Sequence, residues 1–240
     1  MKEFILAEQW YWLILIAVCC YVLGSISAAR IIARSKNKDI TKEGSGNPGS
    51  MNMARTFGFK VGFFTFLFDA IKGMIPAVVC HLIYKNYYLE GTEIIASDYM
   101  RYASGIFVIL GHIYPVFSHF KGGKGIAPAL GVFWVNLTCE SGWLFPIVIV
   151  MFAALLMYIY FFEFGSMASL MGVGIFGVIQ CAFFFLRYGM VYSPWLIACY
   201  ANIFLIFAIT HYAHHKNLRC LFSGEEHRTH LKQMWQRKKK

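Results

Sequence analysis

Apolar residues in this chain gather into long runs separated by short polar stretches. They do not alternate with the period of a half-buried strand or of a surface helix. Seven runs stand out: Trp10–Ile32, Val61–Tyr84, Arg101–Ser118, Ile126–Cys139, Leu144–Phe162, Met167–Leu186 and Ser193–Thr210. A run of about 20 residues is what an α-helix needs to cross the hydrocarbon core of a bilayer. A helix also satisfies its own backbone hydrogen bonds there. The pattern predicts an all-α, polytopic integral membrane protein with seven transmembrane helices. The fourth run is the shortest, with 14 residues and an internal Pro128, and a partly re-entrant helix is an alternative for it. The first run is too long for the core of a signal peptide and has no small-x-small cleavage site, so it is expected to stay in the mature chain.

Composition supports the lipid reading. Of 240 residues, 58% are hydrophobic and 14% charged, against about 45–50% and about 25% in an ordinary soluble domain. Mean hydropathy is +0.55. These values exclude a soluble globular enzyme, a disordered chain and a small disulfide scaffold. Six of the seven cysteines lie in or beside apolar runs and none forms a Cys-x-x-Cys pair, so they read as small apolar fillers kept reduced.

Charge sets the orientation. The formal net charge is +10, and sixteen of the 22 Lys and Arg fall in loops on one side of the seven runs, together with the tail from His211. The other side carries Lys2, Lys85, Arg101 and Arg187, while Arg30 and Lys72 lie inside runs. By the positive-inside rule the N-terminus faces out and the C-terminus faces the cytoplasm. The expected organisation is a membrane domain over residues 1–212 with cytoplasmic catalytic loops, then a basic cytoplasmic tail over 213–240 whose start contributes to the site. Lys238–Lys240 reads as a lipid-surface anchor.

The polar chemistry collects on that cytoplasmic side. One loop reads Gly44-Ser45-Gly46-Asn47-Pro48-Gly49-Ser50-Met51-Asn52-Met53-Ala54-Arg55. Its glycines allow close backbone approach to a ligand, and Arg55 adds a fork suited to phosphate. The spacing is not that of a P-loop, and an ordinary Gly/Ser/Pro turn is the competing reading. A second cluster, Gly111-His112 through Lys121-Gly122-Gly123-Lys124-Gly125, sets two lysines around a glycine pair, as an oxyanion or phosphate cradle would. A flexible basic loop serving topology is equally compatible with it. Asp69 and Lys72, three apart, share a helical face and are expected to pair or to face a polar cavity. Ser166 and Ser169 follow Glu163 at spacings of three, and His211, His214, His215 and Asn217 follow the last run. No ligand spacing here is characteristic of a metal site. Seven of the eight histidines fall on the same face. A site built from several span ends, with an anionic ligand carrying an acyl chain, is the simplest reading. Nucleic acid is not needed to explain the charge.

The motif Ser45-Gly46-Asn47-x-Gly49-x-x-Asn52-x-x-Arg55, followed by Gly111-His112-x-x-Pro115-x-Phe117-x-x-Phe120-Lys121-Gly122-Gly123-Lys124-Gly125, resembles the bacterial PlsY family of acyl-phosphate:glycerol-3-phosphate acyltransferases. Ser166-Met167-Ala168-Ser169, His214-His215-Lys216-Asn217 and Gly224-Glu225-Glu226 are similar to the family's remaining elements, so the likeness runs from about residue 20 to 226. Two positions depart from it. Ser50-Met51 stands where the family has Ala-Thr, and Cys220 stands where it has a basic residue.

The resemblance implies a seven-helix enzyme of the bacterial inner membrane without a metal or nucleotide cofactor. It would move a fatty acyl group from acyl phosphate to the 1-hydroxyl of glycerol 3-phosphate, in the first step of phospholipid synthesis. Its partners would be membrane lipids and an upstream enzyme that makes acyl phosphate. The implied phosphate site is Gly46, Gly49, Ser50, Arg55, Lys121, Gly122, Gly123 and Lys124. Ser45, Asn47, Asn52, Ser166, His214, Asn217 and Glu226 would orient substrates or each other. His112, His214 and a substrate phosphate oxygen are all candidates for the general base. No histidine has an aspartate five residues later, which disfavours the His-x-x-x-x-Asp acyltransferases. The competing function is a transporter or flippase for an anionic or phosphate-bearing lipid, to which the Asp69/Lys72 pair and a basic vestibule would be suited.

Overall fold

A computed structural model describes residues 2–225 and 228–229. Its helices are α1 (Leu6–Gly24), α2 (Ala28–Ser35), α3 (Ser50–Phe57), α4 (Phe59–Tyr84), α5 (Ala96–Ile113), α6 (Ile126–Glu140), α7 (Leu144–Phe162), α8 (Gly165–Tyr188), α9 (Pro194–Ala213) and α10 (His215–Phe222). One small parallel ribbon joins β1 (Lys2–Phe4) to β2 (Tyr87–Leu89). The chain is therefore all-helical apart from that ribbon. Five segments are long and apolar enough to cross a membrane: Leu6–Ser35, α4, α7, α8 and α9. α5, which carries Asp98, Arg101 and His112, and α6, with 15 residues, fall outside that set by composition and length.

The first apolar run is two helices, and a close approach to α5 is the reason. Gly24 presses on α5 so closely that a Cβ there would lie 2.2 Å from the Val108 carbonyl oxygen. The chain then breaks at Ser25–Ser27 and restarts where the Ser27 hydroxyl accepts the Arg30 N–H at 3.4 Å. The break frees the carbonyls of Gly24 and Ile26, and the Lys72 ammonium donates to both at 3.1 Å. Lys72 also pairs with Asp69 at 2.9 Å, on the shared helical face expected from the sequence.

α5 and α6 form the core. Ten residues of α6 from Ala127 to Leu137 are buried against α4, α5, α7 and α8, so protein and not lipid surrounds it and bilayer length is not required. Pro128 is tolerated because it sits in the first turn, where its missing N–H has no helical acceptor to lose. Glycine makes these contacts close, as is common between membrane helices. A Cβ on Gly73 would lie 2.2 Å from Pro128 O, and one on Gly131 would lie 2.1 Å from Ala70 O. α7, by contrast, buries only Val148 and presents an apolar outer face.

At one end of the core, residues that the charge pattern places in outer loops come together, with the side chains of Asp98, Arg101 and Glu140 buried. Arg101 donates to Asn136 Oδ1 and to Asp98 Oδ1, each at 2.7 Å. Arg187 bridges Asp98, at 3.1 Å, and Glu140. Gln180 donates to Glu140 at 2.9 Å and Tyr188 to Asp98 at 2.5 Å. This network ties α5, α6 and α8. His112, near the other end of α5, is eleven residues from Arg101, about 16 Å along the helix axis.

Candidate active site

At that second end an open cleft of about 810 Å³ brings together the polar motifs. Four helix N-termini border it. The first turns of α3 (Gly49 to Asn52), α6 (Gly125 to Ala127), α8 (Gly165, Ser166) and α10 (His214 to Asn217) all line its wall. None of the four carries an acidic residue in its first turn. Unsatisfied N–H groups and the positive ends of the helix dipoles therefore converge there, an arrangement that favours an anion. Among the described lining residues the side-chain charges are Arg30, Arg55, Lys121, Lys124 and Lys216 against Asp69 alone. Asp69 is already paired with Lys72.

Of the site residues expected from the sequence, Ser45, Gly46, Asn47, Gly49, Ser50, Asn52 and Arg55 line the cleft. So do His112, Lys121, Gly122, Gly123, Lys124, Ser166, His214 and Asn217. Glu226 lies outside the described residues. Met51 and Cys220, the two departures from the family pattern, both line the wall as well.

Local bonding changes what several of them do. The stretch from Gly44 to Arg55 is not one loop, because helix α3 starts at Ser50. Asn52, on α3, is 2% exposed and is spent on the preceding loop. Its Oδ1 accepts the Ser45 N–H at 2.9 Å, and its Nδ2 donates to Glu43 O at 2.9 Å and Ile40 O at 3.4 Å. Asn52 thus shapes the loop that presents Ser45, Gly46 and Asn47. Gly44 and Gly46 take positive φ, at 56° and 69°, as that tight path needs.

The glycine pair of the second motif is a correction to the cradle reading. The Gly122 and Gly123 N–H groups do not point to a ligand; they donate to Ile113 O at 3.0 Å and His112 O at 3.1 Å. They satisfy the last carbonyls of α5, which ends at Ile113 and not at Ser118 because Tyr114 precedes a proline. Side chains are excluded from both positions by packing. A Cβ on Gly123 would sit 2.2 Å from His112 Nε2, and one on Gly122 would sit 2.0 Å from His112 O.

Three motifs are joined by one chain of bonds. Lys124 donates to Asn217 Oδ1, and Asn217 Nδ2 donates to Ser166 Oγ at 2.6 Å. His112 Nδ1 lies 3.6 Å from Asp69 Oδ1. His214, 3% exposed, has its Nδ1 2.8 Å from Thr210 O. That carbonyl only accepts, so Nδ1 carries the proton and Nε2 keeps its lone pair. Burial, and then the charge of Lys124, push His214 down to about 4. Arg55 and Lys121 are exposed, and neither has an ion-pair partner among the described residues.

Sequence reasoning missed Arg30 and Thr41 as lining residues, while Asp69, expected to pair or to face a polar cavity, does both. Arg30 was hidden inside an apparently continuous span. The Gly24-Ser25-Ile26-Ser27 stretch is the signal for the break that turns it toward the cleft. Among the described residues, no three His, Cys, Asp or Glu side chains are placed to hold a metal ion.

A sequence model of the Glycerol-3-phosphate acyltransferase family matches residues 14–224. The Glycerol-3-phosphate acyltransferase of Geotalea daltonii is 41% identical over 120 residues, covering 50% of this chain and 56%, little more than half, of that relative. The one from Pseudothermotoga lettingae is 31% identical over 219 residues, covering 91% of this chain and 94% of the relative. The crystal structure of PlsY, an integral membrane glycerol 3-phosphate acyltransferase, in its glycerol 3-phosphate form superposes with a TM-score of 0.69 at 29% identity, covering 90% of this chain and 94% of that one. Its lysophosphatidic acid form gives 0.68 at 27% identity, covering 93% and 98%. With nearly its whole length matched by the family's model and by a solved member's fold, this chain belongs to the glycerol-3-phosphate acyltransferase family.

Proposed function

We propose that the protein transfers a fatty acyl group from acyl phosphate to the 1-hydroxyl of glycerol 3-phosphate, releasing lysophosphatidate and inorganic phosphate. The observation that carries this reading is the convergence of four acid-free helix N-termini and five cations on one cleft. Both substrates bear phosphate, and the leaving group gains negative charge as the anhydride bond breaks. Fixed N–H groups with Lys124, Lys121 and Arg55 oppose that charge without reorganising. Lys124, held by Asn217, which also bonds Ser166, has a set position for this.

The attacking hydroxyl adds to an already activated carbonyl, so orientation supplies much of the acceleration. Neutral His214 offers Nε2 as an acceptor that aligns that hydroxyl. A group with a pKa of about 4 is a poor base at neutral pH, so its part is orientation and not proton abstraction. The hydroxyl proton passes to the departing phosphate, the carbonyl–oxygen bond to phosphate breaks, and the new ester forms. No covalent enzyme intermediate is involved.

The same reading assigns seven spans, with α5 and α6 crossing as helices shielded by the other five. It places the N-terminus outside, and the cleft and C-terminus on the cytoplasmic side of the inner membrane. Residues 1–212 form the membrane domain; from residue 213 the tail begins by supplying His214 and Asn217 to the cleft. Acyl phosphate arrives from an upstream enzyme that makes it. The transport alternative loses its main support, because Lys72 is tied to Asp69 and to two α1–α2 carbonyls and does not line a path. The test is acceptor-dependent phosphate release from palmitoyl phosphate by purified protein. A Lys124→Ala enzyme with near-normal turnover would defeat the phosphate assignment.

A further inference from the structure

Arg30 belongs to none of the family motifs, yet it lines the cleft from the first turn of α2. Its Nη2 donates to the Lys121 carbonyl oxygen at 2.5 Å. Among the described residues the other N–H groups of its guanidinium have no acceptor, Nε is enclosed without one, and no carboxylate lies within ion-pair distance. Asp39, which acts on Arg30 from farther away, bonds Thr41 at 3.0 Å and 2.8 Å. A planar fork of five donors with one described acceptor, set in a wall of cations and helix N-termini, is matched to a phosphate.

We infer that Arg30 is a phosphate-binding residue of this cleft. Its remaining donors engage a terminal phosphate dianion, while its bond to Lys121 O fixes the backbone that carries the Lys121 ammonium. The inference rests on the acyl-transfer reading for which phosphate is held: that of acyl phosphate or that of glycerol 3-phosphate.

The experiment compares the parent with Arg30→Met and Arg30→Lys in detergent, reading KM for each substrate separately, kcat, and inorganic phosphate binding by calorimetry. Arg30→Met is expected to raise the KM of one substrate about 10- to 100-fold, the range of a charge-assisted contact, and to weaken phosphate binding similarly. Arg30→Lys keeps the charge but loses the fork, and is expected to recover part of the loss. Unchanged KM values and unchanged phosphate affinity in both variants would overturn the inference. So would a fall in kcat alone, which would mark Arg30 as a brace for the Lys121 loop. The substrate whose KM moves identifies the phosphate. If the parent shows no acyl transfer, the proposed function fails by itself, and calorimetry with inorganic phosphate still decides on Arg30.

Discussion

Replacing Asn52 by alanine separates a brace from a ligand contact. Asn52 makes three hydrogen bonds into the loop before α3 and is 2% exposed. Ser45 is an exposed residue, so its N–H can turn to water. The Ile40 and Glu43 carbonyls each lose one of two donors, keeping the Glu43 N–H at 3.4 Å and the Gly46 N–H at 2.9 Å, with Ile40 lying in a small core with Ala29, Ala33 and Met53. Each of the three bonds lost contributes about 0.5–1.5 kcal/mol net, so a loss of roughly 3 kcal/mol is expected. For a chain of this size that lowers Tm by about 6–12 °C. Activity should fall too, since Ser45 and Asn47 lose their register. The assay is a thermal unfolding curve of purified protein beside steady-state kinetics. Asn52→Asp should do almost as badly, because it removes the Nδ2 donor and puts a carboxylate against two carbonyls. An Asn52→Ala enzyme with unchanged Tm and a raised KM would refute the brace and make Asn52 a substrate contact.

Other outcomes follow from the same geometry. Gly123→Ala puts a Cβ 2.2 Å from His112 Nε2; it should displace the histidine and lower kcat by at least about tenfold, about 1.4 kcal/mol of barrier, which steady-state kinetics would show. Lys72→Met leaves Asp69 and the carbonyls of Gly24 and Ile26 without their cation, and breaking such a buried pair costs about 3–5 kcal/mol, which thermal unfolding would read. His214 titrates near 4 in the fold, against about 6.5 when unfolded. The unfolded chain therefore binds more protons between those values, and the His214 contribution is complete above about 6.5 and lost as pH falls through 4. Tm should decline over that window in the parent and decline less in His214→Gln. Lys124→Ala should reduce kcat by about 100-fold or more, with little change in the unfolding curve.

Much of the fold is legible along the chain because lipid imposes a simple requirement, a long apolar run for each exposed helix. α4, α7, α8 and α9 therefore fall within a few residues of their runs. Tertiary contact hides the rest. The α1–α2 break depends on Gly24 meeting Val108 and on Lys72 receiving the freed carbonyls, which no local pattern shows. Asp98, Arg101, Glu140 and Arg187 look like loop charges until α5, α6 and α8 bring them together. Most motif residues that line the cleft are readable in the sequence, but their bonding partners are not. Gly122 and Gly123 serve α5 and His112, and Asn52 serves its own loop. Arg30 needed the break to be seen at all.

The central claim is acyl transfer at this cleft. Purified protein given palmitoyl phosphate should release inorganic phosphate only when glycerol 3-phosphate is added, with one lysophosphatidate formed per phosphate. Release that ignores the acceptor, no release at all, or solute movement across vesicles without release would contradict the account.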